Sequence, residues 1–150
     1  MAELQTTYTD QIAPGFAGMI ANGETSNRIS RSCEDAAGIA FGRPVFSGAG
    51  ENGCTATPAA GMLLGISIAT SGLGLLPGAT ADVYPRYEAV NILALGAIYV
   101  TAGEAVTDKA QAYATSAGAI VDTATNNTIL PGWFFDHAAA SGALVRLVRR

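Results

Sequence analysis

Charge is what this chain has least of. Asp, Glu, Lys and Arg make up 13% of its 150 residues, against about a quarter in an ordinary soluble domain. Lys109 is the single lysine beside seven arginines, and the formal net charge is -4. Nucleic acid rewards clustered cations, so no nucleic-acid partner is expected. Arg146, Arg149 and Arg150 do cluster at the C-terminus, where they read as the solvated edge of a terminal strand. Metal-binding residues are equally scarce. His137 is the only histidine, and Cys33 and Cys54 stand twenty-one residues apart without a CxxC, so no metal, no cofactor and two reduced thiols are expected. GxSxG, HExxH and a phosphate loop ending in Gly-Lys-Ser/Thr are missing, and nothing positive indicates an enzyme.

Long helical apolar runs are missing too. Asn52 to Ala81 carries no charge, yet Gly61, Gly65, Gly72, Gly74 and Gly78 interrupt it and Pro58 and Pro77 bracket its apolar part. A spanning helix needs about 20 predominantly apolar residues, so no membrane partner is expected. Residues 1 to 12 lack the basic start and apolar core of a secretion signal. Synthesis in a cytoplasm, with retention there or exit by lysis, is the expectation.

What is present is a central strand. Ala89 to Ala102, AVNILALGAIYVTA, has no charge and is apolar at both alternating sets of positions, which predicts burial on both faces. Its β-branched and aromatic residues, with Gly96 and Gly103, favour strand over helix, bent or bulged near Gly96. Gly38 to Ser47 alternates as a second strand, in which Pro44 requires an edge or an unpaired N–H side. Gly61 to Thr70 is a third. Ala105 to Thr115 has one wet face, Ala119 to Val121 is short, and Leu144 to Val148 closes the chain. Six or so short strands between glycine turns indicate an all-β fold, a small jelly-roll-like sandwich or barrel. Residues 1–32 read as an extended N-terminal arm, with turn signals at Pro14-Gly15 and Asn22-Gly23 and too few apolar residues for a core of its own; residues 33–150 form the single β-domain. The apolar patch Phe16, Met19, Ile20 either packs back on that domain or docks on a neighbour. An apolar, weakly charged exterior favours association over a free monomer.

Three local patterns invite chemistry. Gly48 to Gly53 fits GxGxxG after a strand, but no helix follows and Glu51 sits where phosphates need positive potential, so a hairpin loop is the reading. Glu34-Asp35 and Glu104 with Asp108 are close carboxylate pairs of the kind found at solvated ends. His137 beside Asp136 could serve Cys33 or Cys54 in a hydrolase. Tyr84, Tyr87, Trp133 and His137 could instead form the aromatic platform of a carbohydrate- or ligand-binding module from a phage tail or cell surface.

The ordered set of segments resembles the cement, or decoration, proteins of tailed bacteriophage capsids. The likeness is carried by Pro14-Gly15-Phe16-Ala17-Gly18-Met19-Ile20-Ala21, Gly38-Ile39-Ala40-Phe41-Gly42-Arg43-Pro44-Val45, and Gly53-Cys54 ahead of Leu64-Gly65-Ile66-Ser67. It continues through Tyr84, Val90-Asn91-Ile92-Leu93, Gly96-Ala97-Ile98-Tyr99-Val100, Gly103-Glu104-Ala105-Val106, and Ala140-Ser141-Gly142-Ala143 before Leu144-Val145-Arg146-Leu147. In that pattern Gly103 is usually followed by Asp, and Trp133 to His137 is bulkier here. The resemblance implies a structural virion protein on the outer surface of the mature icosahedral head. There it would act as a homodimer or homotrimer, bridging neighbouring major capsid proteins and stabilising the shell. Phe16, Met19, Ile20, Arg28 and Arg31 of the arm, with the edge at Arg43 and Pro44, are the residues expected to engage the shell.

Overall fold

The long strand finds partners along its whole length. In the computed structural model, which describes residues 15–58, 61–71 and 80–150, the described elements are all strands. They are β1 (Asn27–Cys33), β2 (Ile39–Ala40), β3 (Pro44–Ser47), β4 (Gly53–Thr55), β5 (Leu63–Ser67), β6 (Val83–Tyr84), β7 (Ala89–Thr101), β8 (Gln111–Ala114), β9 (Ile120–Val121), β10 (Thr128–Phe135) and β11 (Leu144–Arg149). The large sheet runs β1-β4-β3-β5-β7-β11-β10-β8-β9, and β1 also pairs with β7. That extra pairing closes β1, β4, β3, β5 and β7 into a ring, from which β11, β10, β8 and β9 extend as a second leaf. β2 and β6 pair separately. The all-β expectation holds, with a barrel-like arrangement.

β7 belongs to both halves because it changes face partway along. Asn27 pairs with Leu95 but Arg28 with Leu93, so β7 carries an extra residue at Ala94, beside Gly96 at φ +128°. A bulge shifts the period-2 alternation by one. Val90 and Ile92 accordingly join a cluster with Cys33, Ile39, Val45, Cys54 and Tyr84 that fills the ring. Beyond the bulge Ile98 and Val100 join a larger core with Trp133, Phe135, Leu130, Phe46 and Leu147. β5 repeats the device: Val45 pairs with Gly65 but Phe46 with Leu63, placing Leu64 against the ring cluster and Ile66 in the larger core. Gly65 lies at φ +153°, and a Cβ there would run into the Leu93 carbonyl.

Several expectations are corrected by pairing. Residues 15–32 are not an extended arm: Ile20 bridges Ile98, Gly18 N–H and Ala21 N–H donate to Tyr99 and Ala97 carbonyls at 2.7 and 2.9 Å, and β1 is a full member of the ring. Buried backbone groups on β7 need partners, and these residues supply them. Residues 1–14 of the expected arm lie outside the described residues, as do Leu73, Leu75 and Leu76. The Gly38 to Ser47 strand breaks at Gly42, at φ +69°, into β2 and β3. Pro44 is buried as the first residue of β3, where β5 pairs with it and β4 does not, so its missing N–H costs no ladder bond. Strand structure in Ala105 to Thr115 is confined to its last third by the turn at Lys109, φ +63°. β11 is an inner strand and not an edge, so its arginines are structural: Arg146 pairs with Asp136, Arg149 donates to the bulged Ala94 carbonyl at 3.0 Å, and Arg150 pairs with Glu24 at 2.8 Å.

Candidate docking surface

The glycine loop is a hairpin turn, β3 to β4, and it does cradle an anion, one belonging to this chain. Ala49 and Gly50 N–H groups donate to the Glu34 carboxylate at 2.7 and 2.8 Å. A Cβ at Gly48 or Gly53 would collide with that carboxylate. Successive backbone N–H groups in a glycine turn make a concavity suited to negative charge, and Glu34 fills it. The neighbouring Asp35 accepts from Thr55 Oγ1 and Ala56 N–H at 2.6 and 2.7 Å. Glu104 likewise accepts from Asp122 and Thr123 N–H, while Asp122 accepts from Thr107 N–H and Oγ1 at 2.9 and 2.6 Å. These hydrogen bonds hold Asp122 below the ordinary carboxylate range. Of the carboxylates expected at solvated ends, Glu34, Asp35 and Glu104 are loop staples, whereas Asp108 is exposed beside Lys109.

Both cysteines are fully buried in the ring, paired in register between β1 and β4. Burial pushes the Cys33 thiol up and the Cys54 thiol up to about 12, opposite to what a nucleophile requires. His137 is exposed just past β10, so the hydrolase constellation is not assembled. Nor is the aromatic platform. Trp133 and Tyr84 are wholly buried, Tyr84 donating its hydroxyl to the Ile68 carbonyl at 2.5 Å and meeting Phe41 edge-on at 5.3 Å. Among the described residues, no three His, Cys, Asp or Glu side chains gather where they could hold a metal ion.

What the surface does offer is grooves. The larger, about 580 Å3, is lined by Phe16, Ala17, Phe41, Arg43, Asp82 and Ile120 among others; Phe16 remains 59% exposed at its rim. A second, about 400 Å3, lies between the ring and the extended leaf, with Met62, Leu63, Ile129, Pro131 and Arg149 in its walls. Met62, just before β5, and Ile129 and Phe134 of β10 are exposed large apolar side chains.

Of the residues expected to engage a partner, Phe16 and Arg43 meet in the larger groove. Arg43 also donates to the Gly118 carbonyl at 2.9 Å, which ties β3 to the turn before β9. Met19 and Ile20 are half-buried, Ile20 packed on the larger core. Their apolar patch therefore packs back on the domain. Pro44 is buried and presents no surface. Arg28 is exposed on β1 and Arg31 half-exposed, its guanidinium folded onto the Ser30 carbonyl. Met62, Ile129 and Phe134 were not singled out from sequence, because an outward apolar residue looks like an inward one until the register is known.

Comparison with known proteins agrees with the fold. The family described as "Structural cement protein (E217 gp24/Pam3 gp6)" matches residues 4–150. A chain from "The capsid of Myoviridae Phage XM1" superposes with a TM-score of 0.69 at 17% identity, covering 99% of this chain and 97% of that one. The head fibre gp8.5 N base of bacteriophage phi29 is similar at a TM-score of 0.49 and 15% identity, over 84% of this chain and 95% of that one. No curated protein matches the sequence.

Proposed function

Because the chain belongs to the structural cement protein family of phage heads, we propose that it binds the outer surface of the mature icosahedral head and bridges neighbouring major capsid proteins, stiffening the shell. The family match over nearly the whole chain carries this reading. The physical features fit it. A clamp needs surfaces with little charge to desolvate and no reactive cleft, and this exterior offers few ions and apolar grooves, with Glu34, Asp35, Glu104 and Asp122 already committed to backbone N–H groups. The acidic balance suits an outward position, since a protein lining packaged DNA gains from basic residues.

In this reading the Phe16–Arg43 groove is one contact with the shell, and self-association as a dimer or trimer multiplies weak contacts. Linking two or three raises occupancy by about two to four orders of magnitude. The chain is made in the host cytoplasm and joins the head there, without nucleic acid or membrane. The test is to add the purified chain to heads that lack it. Stoichiometric density on the outer surface by cryo-electron microscopy, with a higher temperature of head disruption, is the expected result. Heads that remain bare and equally fragile would refute the proposal. Phe16→Ala should weaken attachment while leaving the fold intact, because most of that ring already lies in water.

A further inference from the structure

Six asparagines punctuate the chain, and two of them, Asn22 and Asn52, are followed by glycine. An Asn-Gly step is the peptide unit most open to attack on itself, because the glycine nitrogen can reach the side-chain carbonyl carbon with no Cβ in the way. The two steps are chemically alike, yet the fold treats them differently. Asn52–Gly53 is pinned in the hairpin between β3 and β4. The Asn52 carbonyl accepts from Ser32 N–H at 2.8 Å, Gly53 N–H donates to the Gly50 carbonyl at 3.0 Å, and the Gly53 carbonyl accepts from Gly48 N–H at 3.0 Å. Gly53 is buried as the first residue of β4, with the Glu34 carboxylate where a Cβ would stand. Its nitrogen is committed and its torsions are fixed.

Asn22–Gly23 has none of these restraints. Both residues are exposed in a bend between Ala21, whose N–H is held by the Ala97 carbonyl, and the start of β1 at Asn27. Among the described residues Gly23 N–H meets no acceptor, and a Cβ at Gly23 would find nothing within 4 Å. The Asn22 amide is already folded back on the main chain: Oδ1 accepts from Glu24 N–H at 3.2 Å, and Nδ2 donates to Glu24 Oε1 at 3.1 Å. The first of these bonds closes a ring that contains the Gly23 nitrogen. It also aims a backbone donor at the oxygen that becomes negative when that nitrogen attacks.

We propose that Asn22 is a site of spontaneous deamidation, selected by the fold over Asn52, and that its product sets a second carboxylate against Glu24. The Gly23 nitrogen gives its proton to hydroxide and bonds to Asn22 Cγ; the Cγ–Nδ2 bond breaks, and ammonia leaves after taking a proton from water. Water then opens the cyclic imide, at Cγ to give aspartate or at the main-chain carbonyl to give isoaspartate, with no oxidant and no enzyme. Either product places a negative charge where Nδ2 donated to Glu24, making a chain of net charge -4 more acidic still. Glu24 is the carboxylate that holds Arg150, at 2.8 Å, so the two acids compete for one guanidinium at the end of the chain. Isoaspartate also lengthens the main chain just ahead of β1, the strand that closes the ring. None of this depends on what the surface binds.

The test incubates the full-length protein at mildly alkaline pH, native and in urea, and follows both steps by peptide mapping with mass spectrometry. In the native protein Asn22 should convert roughly tenfold faster than Asn52 or more, since hydrogen bonds pin only the second step. In urea the two should convert alike. Native conversion at Asn22 no faster than at Asn52, or a preference that persists undiminished in urea, would overturn the proposal. Gly23→Ala places its Cβ in open space at a φ outside the left-handed region, so it should melt with the parent and convert several-fold more slowly. Conversion at the parental rate would overturn the proposal as well, because the Gly23 nitrogen would not be the attacking atom. For the product, Asn22→Asp should raise the pH at which Glu24 titrates by NMR, as a donor is replaced by a like charge. A Glu24 titration that does not move would overturn the second half of the proposal and leave the site itself standing.

Discussion

The ring and the extended leaf solve the same problem by different means. The ring encloses modest side chains, Val45, Val90, Ile92, two thiols and Tyr84, and it fixes its loops with carboxylates aimed at backbone N–H groups. The leaf covers the ring with bulk, Trp133, Phe135, Leu130 and Leu147, and leaves the Trp133 indole N–H without a hydrogen-bond partner among the described residues. Carboxylates staple loops in both halves, Glu34 and Asp35 in the ring and Glu104 and Asp122 in the leaf, so the difference lies in the cores: a small enclosed one gains little from apolar area alone. A broad face-to-face core gains enough from area to tolerate an unpaired donor costing about 1–3 kcal/mol.

This contrast can be broken by mutation. Trp133→Ala should cost about 3–5 kcal/mol in urea unfolding, the largest single loss from the leaf. Ile39→Ala in the ring should lose nearer 2–3 kcal/mol, and a reversed ranking would mean the ring is the dominant core. Next is the staple. Glu34→Ala removes two charge-assisted hydrogen bonds and should cost about 2 kcal/mol, with hydrogen exchange rising first at Ala49 and Gly50; exchange unchanged there would show that the glycine loop stands by itself. Tyr84→Phe, which leaves the buried Ile68 carbonyl without its donor, should cost about 1 kcal/mol.

Acid sharpens the comparison by the smallest amounts. Asp122, held by Thr107, and Glu24, held by Arg150, both titrate below their ordinary values of 3.8 and 4.5. A depressed folded value means the folded state binds the proton less readily than the unfolded chain. Their contributions are therefore complete above those ordinary values and fade as pH falls through the depressed ones. Unfolding midpoints of the parent should drop more between pH 5 and pH 3 than those of Asp122→Asn. Equal slopes would show that Thr107 gives Asp122 no preference for its charged form. Across the neutral range Cys33 and Cys54 should resist thiol reagents until the ring opens, since burial keeps both protonated.

Much of the fold was readable from composition and period. The apolar run at Ala89 to Ala102, glycine turns between short alternating stretches and a lack of helical periodicity pointed to strands, and Gly96 marked the bend. The hairpin nature of Gly48 to Gly53 was legible because no helix follows it. β1 was not: NRISRSC is polar at alternate positions and its apolar residues are small or few, so only the vacant edge of β7 makes it a strand. The candidate docking surface was legible in part. Phe16 and Arg43 stand out as apolar and cationic residues near turns, whereas Pro44 and Ile20 were indistinguishable from them without burial.

The sequence alone determined an all-β fold built on one long apolar strand, with few charges, because alternation, glycine spacing and residue type act locally. Tertiary structure decided which side chains face which core, since a bulge of one residue in β7 and another in β5 reverses inside and outside. It also decided that Glu34 fills its own glycine cradle and that Tyr87 stands in water while Tyr84 and Trp133 do not. Those outcomes depend on pairings between residues far apart in the chain, which no local pattern encodes.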